Sequence, residues 1–339
     1  MAEDESKRVE LEPLEEETVL RGESAPRKRR FIRYILAAVG LAILLYNLYA
    51  IYVNTTNLIA RLLPDDFNGY AQGFVDKLNE VRREAGTPSV KFVKTEIADW
   101  WATYMADNGE ATFVDKNGIS FIYYFNKYEK NYVTLGGVMI EFISSASINR
   151  DDGVEYASET FSDSDMWDKL TNPCVTHVSI GLKRSGNTVY ITVLALHNRT
   201  KILTFPSFDG NIINLKIFTT IPPLDKKYYL VVIAEYRPNP WYFGRDDMPD
   251  PTSLWLVIPL ELYDESLEKE DIIIADRYEV YKQDDGWVFD LQFKLDRRQG
   301  FHYIIKIFGA YPTTLWTPKG EFGELIQEMG CYVLTYELS

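Results

Sequence analysis

The sequence predicts an α+β chain built from one transmembrane helix, a first domain that mixes helices with strands, and a C-terminal all-β sandwich. Three observations carry that expectation. Residues Tyr34 to Val53 form an apolar run without a charged side chain. Helical periodicity follows between about residues 70 and 108 and then gives way to a period of two. From about Ile202 onward, strand-like runs alternate with Pro, Asp and Gly turns. The expected segments are 1–30 (a disordered cytoplasmic tail), 31–63 (helix and stalk), 65–200 (the mixed domain) and 201–339 (the sandwich).

The apolar run reads YILAAVGLAILLYNLYAIYV, with Asn47 its one strongly polar residue. At the helical rise this length matches the hydrocarbon thickness of a bilayer, roughly 30 Å. Arg27-Lys28-Arg29-Arg30 and Arg33 precede it, whereas Asn54-Thr55-Thr56-Asn57 follow with no charge until Arg61. A one-sided basic cluster orients the N-terminus to the cytoplasm and the remainder outside it. Tyr34 at one end, and Tyr46, Tyr49 and Tyr52 toward the other, suit the two aromatic belts. A cleaved signal peptide fits less well, because the polar leader is long, the apolar run exceeds an h-region and no small-x-small site follows. The expected partner of this segment is therefore the lipid bilayer.

Residues 1 to 30 carry Glu10, Glu12, Glu15, Glu16 and Glu17 and no aromatic residue, too little apolar area to offset chain entropy. The whole chain is 46% hydrophobic with a formal charge of −14, which argues against a nucleic-acid surface. Its two cysteines, Cys174 and Cys331, exclude a disulfide-rich scaffold. A single bridge joining the two domains and a pair of buried thiols fit equally well. Asn54 and Asn198 each open an N-x-Ser/Thr glycosylation pattern.

After the anchor, Phe74, Val75, Leu78 and Val81 mark a helix from Tyr70 to Ala85, stopped by Gly86. Ile97, Ala98, Trp101, Ala102 and Met105 mark a second, capped by Thr95 and ended by Asn108-Gly109. Strands are expected in ISFIYYF, TLGGVMIEFI and VTHVSIGL, with a short helix from Asp163 to Leu170. VSIGL and TVYITVLAL form a hairpin around Gly186-Asn187. Seven further strands follow: NLKIFT, YYLVVIAEY, SLWLVIPLEL, DIIIADRYEVY, WVFDLQFKL, HYIIKIFG and CYVLTYEL.

Two blocks in the mixed domain resemble a known family. LNEVRREAG followed by EIADWWATYMADNG is similar to the opening helix pair of the CAP superfamily, the cysteine-rich secretory, antigen 5 and pathogenesis-related proteins. TNPCVTHVSIGLKRSGNTVYITVL resembles the closing strands of that family. The likeness covers roughly residues 70 to 196 and implies a three-layer α-β-α sandwich. Family members often hold a divalent metal on two His and two Glu. Here Glu110-Ala111-Thr112-Phe113, Gly137-Val138-Met139 and Met166-Trp167 stand where three of those groups would be, so no metal and no cofactor is expected.

The histidines agree. His177, His197 and His302 lie in separate strand-like segments without ligand spacing. His177 is expected to be structural, and His197 and His302 partly exposed. No G-x-S-x-G, Walker loop, dinucleotide fingerprint or H-E-x-x-H motif occurs. The acidic stretches Asn149 to Glu155 and Arg245 to Asp250 are read as solvated turns rather than Ca²⁺ loops. NPWYF (Asn239 to Phe243) and LWTP (Leu315 to Pro318) can supply either a core or an aromatic platform. Together these readings give a membrane-anchored extracytoplasmic module without a catalytic site, serving binding, adhesion or envelope organisation toward an envelope protein or glycan. The alternative is an envelope-acting hydrolase that uses carboxylates in place of His, which requires two acids to converge in one pocket.

Overall fold

The structure, a computed structural model, describes residues 25–62, 64–160, 170–245, 250–263, 271–310 and 331–338. The expectations for residues 1–24, for the short helix from Asp163 as far as residue 169 with Met166 and Trp167, for Asp246 and Asp247 and for Leu315 to Pro318 fall outside these residues. The chain divides into two compact units, Met1–Leu62 and Leu63–Ser339.

The first unit contains one long helix, α1 (Ala25–Leu62). Within it Tyr34–Tyr52, 19 residues of mean hydropathy 2.0, is long and apolar enough to cross a membrane. The Asn47 side-chain amide donates to the Ile43 carbonyl at 2.8 Å, so its polarity is partly absorbed within the helix.

The second unit begins with α2 (Phe67–Glu84), β1 (Lys91–Phe92), α3 (Glu96–Asn108), α4 (Phe121–Tyr128), β2 (Val133–Ile143), α5 (Arg150–Thr160), β3 (His177–Ser185) and β4 (Thr188–His197). Its first sheet has the order β1-β3-β4-β2, with β1 parallel to β3 and the other pairs antiparallel. Alternation along β4 gives the sheet two buried faces. Val189, Ile191, Val193 and Ala195 pack with Phe74, Leu78 and Ala157 of α2 and α5. Tyr190, Leu194 and Leu196 pack with Trp101, Met105 and Phe121 of α3 and α4.

Nine strands follow: β5 (Thr200–Asp209), β6 (Ile212–Thr219), β7 (Leu230–Tyr236), β8 (Ser253–Ile258), β9 (Ile272–Ile274), β10 (Arg277–Gln283), β11 (Gly286–Lys294), β12 (His302–Gly309) and β13 (Cys331–Leu338). They form two sheets, β10-β11-β6-β5 and β13-β12-β7-β8-β9. Leu215, Ile217 and Phe289 of one share a core with Ile233, Ile305 and Val333 of the other.

These layers interlock with the first sheet. Val133 and Cys174 belong to the core of the C-terminal strands, while Ala234, Tyr236 and Ile304 belong to the core under α3 and α4. Cys174 and Cys331 lie with their Cα atoms 5.5 Å apart and are joined as a disulfide. Arg82, buried in the last turn of α2, donates to the carbonyls of Pro88 (2.7 Å), Asn172 (3.2 Å) and Val175 (3.2 Å), and to that of Leu170. Burial pulls its pKa down to about 10.

Several expectations need correction. ISFIYYF is a helix, because Phe121, Ile122 and Phe125 fall on one helical face and bury there. Asn149 to Glu155 opens α5: Asp151 N–H donates to Asn149 Oδ1 (2.8 Å), and Asn149 N–H donates to Asp152 Oδ2 (2.7 Å). This reciprocal cap absorbs the acidic cluster into a helix start. DIIIADRYEVY contains two strands that break at Ala275-Asp276. β5 carries little strand signal in its sequence, because it is mostly exposed, contains Pro206 and shifts register against β6.

Candidate functional site

The resemblance places a cleft near residues 110–113 and 137–139. In the fold Thr112, Phe113 and Met139 are buried, and Trp101 Nε1 donates to the Thr112 carbonyl at 2.9 Å. The C-terminal strands add a loop against this region. Phe113 N–H donates to the Arg245 carbonyl at 2.7 Å, and a Cβ on Gly118 would stand 2.2 Å from the Asn239 nitrogen. Glu110 and Glu141 are both exposed, and Glu141 Oε2 accepts the Ala111 N–H at 2.8 Å. Among the described residues no group of three or more His, Cys, Asp or Glu is placed to hold a metal.

The three histidines go to different surroundings. His177 Nδ1 is 2.8 Å from Thr176 Oγ1, and its ring meets Tyr132 edge-on at 5.1 Å. Burial, then the charge of Lys91, lowers its pKa. His197 is fully buried, which corrects the expectation of partial exposure: it closes β4 beneath β13, and its Nδ1 accepts the Arg199 N–H at 3.2 Å. Burial drives its pKa down to about 3, with Arg199 adding to the effect.

His302 stands at one end of a polar knot that sequence reading missed. Its Nδ1 lies 2.8 Å from Glu337 Oε1, while Ser120 Oγ donates to Glu337 Oε2. Glu337 N–H donates to Asn126 Oδ1 (2.9 Å), and Asn126 Nδ2 donates to the Thr335 carbonyl (3.1 Å). Tyr236 lies against the same carboxylate, and burial first, then Glu337, raises its pKa. The order is serine, carboxylate, histidine. A nucleophile-activating triad needs the histidine in the middle, so this knot fastens α4 to β12 and β13 rather than activating Ser120. The residues come from three distant segments, and no spacing in the sequence joins them.

Aromatic rings gather elsewhere on the same helices. Trp100 lies 6.0 Å from Tyr104 in a stacked pair, 5.3 Å from Tyr124 and 6.2 Å from Tyr128. Tyr123 meets Tyr124 at 5.4 Å, and Lys127 Nζ lies 5.4 Å over the Tyr128 ring. Tyr124 Oη donates to Asp115 Oδ2 at 2.8 Å, and Tyr104 Oη accepts the Lys116 N–H at 3.0 Å. These bonds fix the rings from beneath while Trp100 remains 42% and Tyr128 59% exposed. The NPWYF segment behaves differently. Of its three rings only Trp241 is exposed, at 88%; Arg245 lies over Tyr242, and Lys116 over Phe243. The signal for the helix face was in the sequence, as Trp100 and Tyr104 share an i, i+4 spacing, but reading ISFIYYF as a strand hid its second half.

A groove of about 230 Å³ lies at the outer edge of the first sheet, between α2 and α3. The one carboxylate lining it, Asp99, pairs with Lys94 at 3.3 Å. Two converging acids, which the hydrolase reading requires, are not brought together there. Asn198 is exposed in the two-residue link between β4 and β5, and Asn54 falls in α1.

No family model matches the chain, and no curated protein matches it. A solved structure similar to part of it is the 1.5 Angstrom resolution crystal structure of an extracellular protein containing a SCP domain from Bacillus anthracis str. Ames. The likeness covers 38% of this chain and 40% of that one, at 14% identity and a TM-score of 0.30.

Proposed function

We propose that the chain is a single-pass membrane protein holding Leu63–Ser339 outside the cytoplasm as a CAP-like binding module, with the aromatic face of α3 and α4 as its contact surface. The CAP-like reading is supported by the two sequence blocks, which fall on α2, α3 and the β3–β4 hairpin, and by helices lying on both faces of the first sheet. The anchor reading is supported by the uncharged span of α1 and the basic residues on one side of it.

The observation that carries the binding role is the exposure of Trp100 and Tyr128 on a set of rings held from below. Tyr and Trp present large rigid surface at low entropic cost, and they dominate contact energies at recognition surfaces. The partner is an envelope component, a glycan or a protein, that stacks on these rings. The test is retention of solubilised envelope components on the detergent-solubilised full chain, compared with the Trp100→Ala, Tyr128→Ala double variant. Retention lost in the variant supports the reading, and equal retention overturns it.

A further inference from the structure

Strand β3 ends its pairing with β1 early. Lys91 and Phe92 pair with His177 and Val178, and Val93 N–H still reaches the Val178 carbonyl at 2.9 Å. The chain then turns into α3, with Thr95 N–H bonded to Ser179 Oγ at 3.2 Å. The carbonyl of Val178 thus points to the β1 side. Because β3 pairs with β4 without a register shift, Ile180 and Leu182 point their backbone groups the same way. No group among the described residues bonds the N–H or C=O of Ile180 or Leu182 on that side. These two residues are only 3% and 8% exposed, and unpaired backbone groups in such cover are costly.

They face the groove between the two helices. Phe67 and Ala71 of α2 form one wall and Thr103 of α3 the other, with Phe92 at one end and Lys183 at the rim. Lys94 is neutralised by Asp99, whereas no carboxylate among the described residues pairs with Lys183. Two donor–acceptor sets two residues apart repeat at about 6.6 Å, the repeat of a β-strand. Phe67, Ala71 and Phe92 can receive the apolar side chains of an added strand, and Lys183, unpaired among the described residues, fits an acidic one.

We infer that this edge receives an extended acidic peptide from another protein, added as a strand beside β3. Recognition by strand addition takes its affinity from main-chain bonds and its specificity from alternate side-chain pockets. The site is separate from the aromatic face, so either can fail without the other.

The test measures fluorescence anisotropy of a labelled, capped hexapeptide of alternating valine and glutamate, titrated with the full chain in detergent micelles. Saturable binding is expected. N-methylating alternate residues should weaken it by at least about tenfold in one of the two possible patterns and little in the other, since only one set of N–H groups faces the protein. Lys183→Glu should weaken it severalfold, and Leu182→Pro should abolish it, because the nitrogen that proline blocks faces away from β4. The methylated peptides keep the proposal testable if the proline variant does not fold. Absence of binding, equal binding of both methylated peptides, equal binding of a valine–lysine peptide, or occupation of the edge by a second copy in sedimentation would each overturn it.

Discussion

Arg82 and Val175 are 93 residues apart in sequence, yet the guanidinium of one donates to the carbonyl of the other at 3.2 Å. With Pro88, Leu170 and Asn172 as further acceptors, Arg82 gathers the end of its own helix and the approach to β3 around one buried cation. Arg82→Met leaves these carbonyls without a donor and should cost about 3–5 kcal/mol in denaturant unfolding. Arg82→Lys should recover only part of this, since an ammonium cannot reproduce the planar fork.

Gly181 sits where α3 crosses β3. A Cβ there would lie 2.1 Å from the Ala98 carbonyl oxygen and 2.2 Å from its carbon, both backbone atoms. Gly181→Ala should therefore push the helix off the sheet and destabilise the fold by about 2–3 kcal/mol, lowering the melting temperature by roughly 5 °C or more. An unchanged melting temperature would mean that the helix does not cross so closely.

His197 makes stability depend on pH. Its folded pKa of about 3 lies below the ordinary histidine value, so the unfolded chain binds the extra proton across the interval between them. The stabilisation is complete above pH 6.5 or so and declines as pH falls toward 3. His177, lowered in the same direction, adds to it. From pH 7.5 to pH 5, His197 alone should account for a loss of about 2 kcal/mol. His197→Gln, which keeps an acceptor for Arg199 N–H, should flatten that slope in urea titrations at several pH values.

The Cys174–Cys331 bridge closes a separation of 157 residues between the turn that leads into β3 and the last strand. Replacing both cysteines with serine should cost about 3–5 kcal/mol, chiefly by freeing the unfolded chain. Non-reducing peptide mapping should recover the two cysteines in one linked fragment.

Where a single periodicity governs a segment, the sequence was readable. The α3 limits follow from Thr95 and Gly109, which caps the helix in the left-handed region at φ 77°. The β3–β4 hairpin follows from Gly186-Asn187. ISFIYYF failed because a short apolar run satisfies both periods, and only packing against β13 and the sheet selects the helix. The polar knot of Ser120, Glu337 and His302, and the shared cores on either side of residue 200, arise from contacts between distant segments that no local pattern encodes. Of the aromatic face, Trp100 and Tyr104 were visible as a helical pair. Their neighbours became visible only once α4 was a helix.

We propose that α1 holds the folded portion outside the cytoplasm. An epitope placed after Ser339 and probed with antibody on intact cells measures this directly. The account predicts full labelling before lysis, with an N-terminal epitope labelled only after it. A C-terminal epitope reached only in permeabilised cells would contradict it.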